Sequence, residues 1–247
     1  MQLGSEEKLH FCHFGYVKVE RVVPVERMDL ALRQINLDLG RGIDPARMED
    51  FYARSFCPEL RNDDAILDLY RKSPAREIAD SLVTPGRLRE PSMAQIALRF
   101  PETREAVLPR PHVDGSYGAK NGVKAGTVAH FTLLAMVALS DVEADFAGNF
   151  TVWPGSHHLY EQHFRTHGSA EMLNGTPRLP NLPEPVQIRL RKGDLLLSHY
   201  QLGHAPAPNL SSQVRYAVFF RLYHEAHDAD DLEILADIWR EFPSLRQ

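Results

Sequence analysis

Pro111-His112-Val113-Asp114-Gly115 is the stretch from which the rest of the chain is read. In an extended strand, alternate residues share a face and lie roughly 6–7 Å apart along the backbone, so His112 and Asp114 converge while Val113 points away. An imidazole and a carboxylate placed in this way are half of a metal site. The missing ligand is sought in Gly193-Asp194-Leu195-Leu196-Leu197-Ser198-His199-Tyr200-Gln201-Leu202-Gly203-His204, where a turn pair launches an apolar strand that carries two histidines. Their odd separation puts His199 and His204 on opposite faces of an unbroken strand, so at most one of them is a ligand. Two imidazoles and one carboxylate on one face of an octahedral ion leave three positions open, the arrangement of non-haem Fe(II) oxygenases.

Outward from this stretch the pattern is one of short strands, over residues 93–100, 110–114, 128–139, 150–153, 186–191, 194–200 and 214–223. The first third differs. After a strand within 13–20, Met28, Leu32, Ile35 and Leu39 repeat at helical spacing up to Gly40-Arg41-Gly42, and further helical patterns cover 66–70 and 78–82. Many short strands around a buried metal suit a double-stranded β-helix, a jelly-roll of two sheets, with the early helices covering one of them. Residues 128–139 are apolar on both faces, as a strand between helices and a barrel interior requires. The expected fold is mainly β with N-terminal helices, in a single domain over 1–247. Residues 1–90 form the first strand and the covering helices, 91–223 the core, and 224–247 a C-terminal helix. The connections 115–127 and 158–184 are expected as polar loops leaving the site strands, the latter carrying His158, His163 and His167.

A chain of 247 residues, 43% of them hydrophobic, is long enough for one large core. Its formal net charge of −5 offers no general attraction to nucleic acid or to an anionic membrane, so neither is expected as a partner. Cys12 and Cys57 make no disulfide framework, the first residues lack the apolar core of a signal peptide, and the longest apolar run, 131–139, is too short to span a bilayer. A cytoplasmic protein is expected.

Through His112-Val113-Asp114, through Gly148-Asn149-Phe150-Thr151-Val152-Trp153-Pro154-Gly155-Ser156-His157, and through Gly193-Asp194 to His204, the chain resembles the phytanoyl-CoA dioxygenase-like family of Fe(II)/2-oxoglutarate oxygenases. The likeness is good over residues 90–223 and looser before them. It implies that His112, Asp114 and His204 hold Fe(II), that His199 is a hydrogen-bonded structural residue, and that Arg215, one strand later, takes the 2-oxoglutarate carboxylate. O2 is then consumed, ascorbate serves as an optional reductant, and succinate and CO2 form as a small organic substrate is hydroxylated. Halogenases of this family carry a small residue in place of the carboxylate ligand; here Asp114 is intact. One departure concerns the position two after the metal histidine, often a hydroxyl residue in the family and here Pro206.

Read on its own residues, Arg215 lies in an otherwise apolar strand, where an unpaired guanidinium is costly, so it needs a partner anion: an internal acid or a ligand carboxylate. Gln95 and Arg99 share one face of the 93–100 strand, the face opposite Ile96 and Leu98, and Arg99 is expected to meet 2-oxoglutarate or substrate. Gln95, Tyr117, Lys120, Trp153 and Arg221 are candidates for substrate contact, with His157 and His199 behind the ligands. The loop lysines and Arg221 favour a small polar or anionic substrate, whereas Tyr117, Phe146 and Trp153 could instead line an apolar pocket. Two rival readings are a non-catalytic jelly-roll that binds a small ligand, and a cupin-like metalloenzyme that uses no 2-oxo acid.

Overall fold

The computed structural model describes residues 1–83, 87–118 and 120–245. Among them are eight strands: β1 (Tyr16–Val19), β2 (Gln95–Arg99), β3 (Leu133–Ala138), β4 (Phe150–Val152), β5 (Val186–Ile188), β6 (Leu195–His199), β7 (His204–Pro206) and β8 (Arg215–Leu222). They form a five-stranded antiparallel sheet in the order β1-β6-β3-β8-β2 and a three-stranded antiparallel sheet in the order β5-β4-β7. Six α-helices accompany them: α1 (Ser5–Phe14), α2 (Val25–Leu39), α3 (Met48–Ala53), α4 (Asp64–Arg71), α5 (Ala75–Asp80) and α6 (Ser156–His167). More of the described residues lie in helices than in strands, so the expectation of a mainly β chain is corrected to a mixed α and β fold with antiparallel sheets.

The alternation of the strands sorts the apolar residues into two layers. Leu133, Ala135 and Val137 of β3 and Val218, Phe220 and Leu222 of β8 pack with Ile35 of α2 and Ile66 of α4. Their neighbours Leu134, Met136, Ala217 and Phe219 point the other way and share a second core with Phe150, Val152 and Ile188 of the smaller sheet. The space between the sheets is therefore lined by every second residue of β2, β3 and β8. This face includes Gln95, Arg99, Arg215 and Arg221.

Several boundaries move. Residues 5–14, to which the sequence pattern assigns no element, form α1, which stops at Gly15 in the left-handed conformation (φ 81°). A Cβ on Gly15 would lie 2.7 Å from His157 Nδ1, so the position needs glycine twice over. The expected loop 158–184 holds most of α6 and a 3-10 helix over Ser169–Asn174, because Tyr160 and Phe164, four apart, bury one helix face. Residues 224–247 carry no α-helix among the described residues; Leu232–Ala236 form a 3-10 helix between turns. The expected strand 194–200 does not run on to His204: Leu202 N–H turns back to the His199 carbonyl at 3.0 Å, and the chain crosses from one sheet to the other. The face-parity argument for His199 and His204 therefore does not apply. Among the described residues no helix is long and apolar enough to cross a membrane.

Candidate metal centre

His112 lies outside the named strands, yet its N–H donates to the His204 carbonyl at 2.9 Å and its carbonyl accepts from His204 N–H at 3.0 Å. This bridge adds His112 to the edge of the smaller sheet beside β7, whose His204 pairs on its other side with Val152. The two imidazoles are consequently neighbours, with ring centres 4.5 Å apart. Asp114 Oδ1 lies 3.5 Å from His112 Nε2 and 3.7 Å from His204 Nε2. All three ligand atoms fall within 4.8 Å of one another, and no other such group of three occurs among the described residues. Adjacent ligands on an ion with bonds of about 2.1 Å sit about 3 Å apart, so both carboxylate–imidazole gaps need to close by less than about 1 Å.

The orientation of His204 is set by its surroundings. Its Nδ1–H donates to the Leu202 carbonyl at 2.9 Å, which leaves the Nε2 lone pair facing Asp114. The ring stacks on Phe150, with centres 4.9 Å apart and 26° between planes. His112 forms the open side of the site, with 46% of its side chain accessible. It still stands in a recess of protein atoms, and that burial together with His204 lowers its pKa against the pull of Asp114. Burial pushes the Asp114 carboxyl up, but the Arg221 guanidinium and the two imidazoles outweigh it and hold the group well below the usual carboxylate range. The cluster thus offers an ionised carboxylate and an imidazole kept neutral, the protonation states that metal ligation requires. The donor set and its geometry fit Fe(II).

A second charged locus lies on the inner face of the larger sheet, the face that also carries Arg221. Arg215 is 4% exposed; its Nε–H donates to the Gly148 carbonyl at 2.9 Å and its Nη1 to the Ala97 carbonyl at 3.1 Å. No carboxylate among the described residues pairs with it, which removes the internal ion pair as its partner. Arg99 stands directly opposite in the β2–β8 register, its guanidinium over the Tyr52 ring at 4.7 Å and its Nε buried without a hydrogen-bond partner among the described residues. Burial and the Arg99 charge push the Arg215 guanidinium down to about 9. Gly148 makes the arrangement possible. It has φ 75°, and a Cβ there would approach Arg99 Cβ to 2.9 Å and Arg215 Cβ to 3.2 Å.

The remaining expectations divide. Arg221 shares the inner face but is committed to Asp114 Oδ2 at 2.8 Å and Gln95 Oε1 at 3.0 Å, so neither Arg221 nor the Gln95 oxygen is free for substrate. Lys120 is turned away to the Glu49 carboxylate on α3, and its carbonyl accepts from Arg54 Nε. Trp153 is buried, with its backbone N–H on the Gly203 carbonyl, while Tyr117 is exposed. His157, expected behind the ligands, lies elsewhere: its Nε2 bonds the Cys12 carbonyl, and its ring packs on His199 and Trp239. His199 is held by the Ile238 carbonyl and by Gln201 N–H, within that aromatic cluster. Ser156, not singled out in the sequence, braces the ligand strand instead, its Oγ accepting from Gly203 N–H at 2.9 Å. Thr176 Oγ1 accepts from Val113 N–H at 3.0 Å and fixes the backbone between the other two ligands. A lone threonine in a loop carries no sequence signal for such a role. Phe150, beneath His204, was legible only as a strand residue.

Solved structures share this fold. The non-heme alpha ketoglutarate dependent carbocyclase SnoK from nogalamycin biosynthesis is 20% identical, with a TM-score of 0.59 over 91% of this chain and 85% of its own. HygX from Streptomyces hygroscopicus, solved with nickel and 2-oxoglutarate bound, is 16% identical, with a TM-score of 0.55 over 93% and 90%. The epimerase SnoN, also of nogalamycin biosynthesis, is 19% identical, with a TM-score of 0.54 over 94% and 87%. No curated protein matches the sequence. A model of the phytanoyl-CoA dioxygenase family matches residues 11–217, most of the chain, and the protein belongs to that family.

Proposed function

We propose that the protein is an Fe(II)- and 2-oxoglutarate-dependent dioxygenase that hydroxylates a small organic substrate, on a core of the double-stranded β-helix type. The observation that carries this reading is the convergent His112–Asp114–His204 cluster together with a buried Arg215, on the inner face of the larger sheet, that has no carboxylate partner among the described residues and has Arg99 opposite it. A diacid bearing a 2-oxo group at one end answers both loci at once. His112, Asp114 and His204 hold the metal; Arg215 takes the far carboxylate, and Arg99 supplies the second contact that Pro206 cannot. Bound Fe(II) supplies the activation of O2 that couples oxidation of the substrate to conversion of 2-oxoglutarate into succinate and CO2. The protein's share is orientation and an apolar setting: Met136, Phe150, Ala217 and Phe219 belong to the buried core between the two sheets, on the face that carries Arg215 and Arg221.

The rival readings fit less well. A passive binding protein has no use for three donors aimed at one point. A metalloenzyme without a 2-oxo acid would leave the buried Arg215 guanidinium without an anion among the described residues, which is costly. HygX has also been solved with hygromycin B bound, and that supports a small-molecule substrate, with Tyr117 and Trp153 as its remaining candidate contacts. The test is aerobic incubation with Fe(II), ascorbate and 2-oxoglutarate across a panel of small polar molecules, followed by succinate release. The expected result is succinate formation above the protein-free level, increased by a substrate and lost in His204→Ala. Succinate at the protein-free level under every condition would contradict the proposal.

A further inference from the structure

We infer that Arg221 is a positioning residue for the metal centre: it reserves one oxygen of Asp114 for the ion and loosens the hold on that ion by its charge. The inference rests on the metal-centre reading above. The two oxygens of Asp114 have separate partners. Oδ1 faces His112 Nε2 and His204 Nε2 at 3.5 and 3.7 Å, whereas Oδ2 accepts from Arg221 Nη2 at 2.8 Å.

Arg221 is itself restrained on three sides. Its Nη1 donates to Gln95 Oε1 at 3.0 Å, its guanidinium carbon lies 5.6 Å from the centre of the Phe131 ring, and its backbone pairs in register with Leu134. A carboxylate gripped in this way cannot turn its second oxygen toward the site. The number of positions left for 2-oxoglutarate and O2 is thereby protected.

The two effects of Arg221 on metal binding have opposite signs, and magnitude decides between them. Contacts that orient a ligand typically contribute 10–100-fold in metal affinity. Repulsion between a guanidinium and a divalent ion a few ångströms away, at an effective dielectric of about 20, is larger than that. Solvent reduces it, since 36% of the Arg221 side chain is accessible, yet charge still prevails. Removing the charge therefore tightens metal binding, while a residue that merely shaped the loop would weaken binding on removal.

The probe is Co(II), titrated calorimetrically and by visible absorption into the wild-type, Arg221→Met and Arg221→Lys proteins, each checked for folding by circular dichroism. A 2-oxoglutarate titration of the Co(II) forms follows. Arg221→Met is expected to bind Co(II) about tenfold more tightly or better, with 2-oxoglutarate weakened about tenfold because the freed oxygen competes for a coordination position. Arg221→Lys keeps the charge and should bind Co(II) as the wild type does. If Arg221→Met does not fold, Arg221→Gln takes its place with the same expectation. Unchanged or weaker Co(II) binding in the charge-free variant, or a lysine variant that behaves like it, overturns the inference. Co(II) binding that survives His204→Ala would instead refute the underlying metal-centre reading, so the two failures are distinguishable.

Discussion

Arg215→Met separates ligand binding from folding, because the cation it removes has no carboxylate partner among the described residues. A guanidinium pushed down from its ordinary value to about 9 corresponds, at 1.36 kcal/mol per pKa unit, to a cost on the order of 5 kcal/mol for keeping it charged. Against that stand its two hydrogen bonds to the Gly148 and Ala97 carbonyls, worth about 1.5–3 kcal/mol each for a charged donor. The two contributions nearly cancel. The ligand-free variant should therefore melt within roughly 5 °C of the wild type, whereas breaking an ordinary buried ion pair costs about 3–5 kcal/mol. Binding responds differently. Losing one side of a buried charge-assisted contact costs about 2–5 kcal/mol, or roughly 30- to 5000-fold in the Kd for 2-oxoglutarate. The assay is thermal denaturation with Ni(II) and increasing 2-oxoglutarate, in which ligand at a hundred times Kd stabilises by about 2.7 kcal/mol. A folded Arg215→Met protein that keeps the wild-type response would show that the anchor lies elsewhere.

Three further outcomes follow from the same geometry. His204→Ala should lose Co(II) binding and His199→Ala should retain it, as read by calorimetry; the reverse pattern would place the ligand at the wrong histidine. Gly148→Ala forces a Cβ to 2.9 Å from Arg99 Cβ at a φ of 75°, and should cost about 1–3 kcal/mol in urea denaturation as well as weaken 2-oxoglutarate binding; a neutral effect on both would contradict the packing. His130 is buried with neither ring nitrogen hydrogen-bonded, and burial with the adjacent His227 pushes its pKa down to about 4. Between pH 6.5 and 4 the unfolded chain takes up the proton first, so stability present above pH 6.5 is lost on acidification, by up to about 3 kcal/mol from this residue. In His130→Leu the urea midpoints at pH 7.5 and 4.5 should differ by less than in the wild type, and an equal difference would remove His130 from the account.

The residues of the site that could be read from the sequence are those whose chemistry conflicts with their setting. His112 and Asp114 stand two apart in extended chain, His204 ends an apolar segment, and Arg215 interrupts another. What could not be read is cross-strand register. Nothing local places Arg99 opposite Arg215, or brings Arg221 onto Asp114 across 107 residues, and these pairings turn separate cations into an anion locus and a ligand brace. The inner face of β2 was legible from alternation, since Ile96 and Leu98 go to the helix side and Gln95 and Arg99 to the other. The break between β6 and β7 was not, because the apolar run contains no proline and its glycine comes only at 203, after the turn. In α6 the buried face is carried by Tyr160 and Phe164 among histidines and charged residues, a pattern too polar to announce a helix. The C-terminal segment failed in the opposite direction: Leu232 to Ala236 look helical, but the turn is 3-10 and ends at Asp237.

The central claim is that one ion and one 2-oxo diacid are held together between the His112–Asp114–His204 cluster and Arg215. Its most direct test is an anaerobic titration of the protein with Fe(II) in the presence of 2-oxoglutarate, followed in the visible for the weak charge-transfer band of a chelated 2-oxo acid. The account predicts a band that saturates at one equivalent of iron, requires 2-oxoglutarate, and is absent from His204→Ala. Iron binding with no such band at saturating 2-oxoglutarate would contradict it.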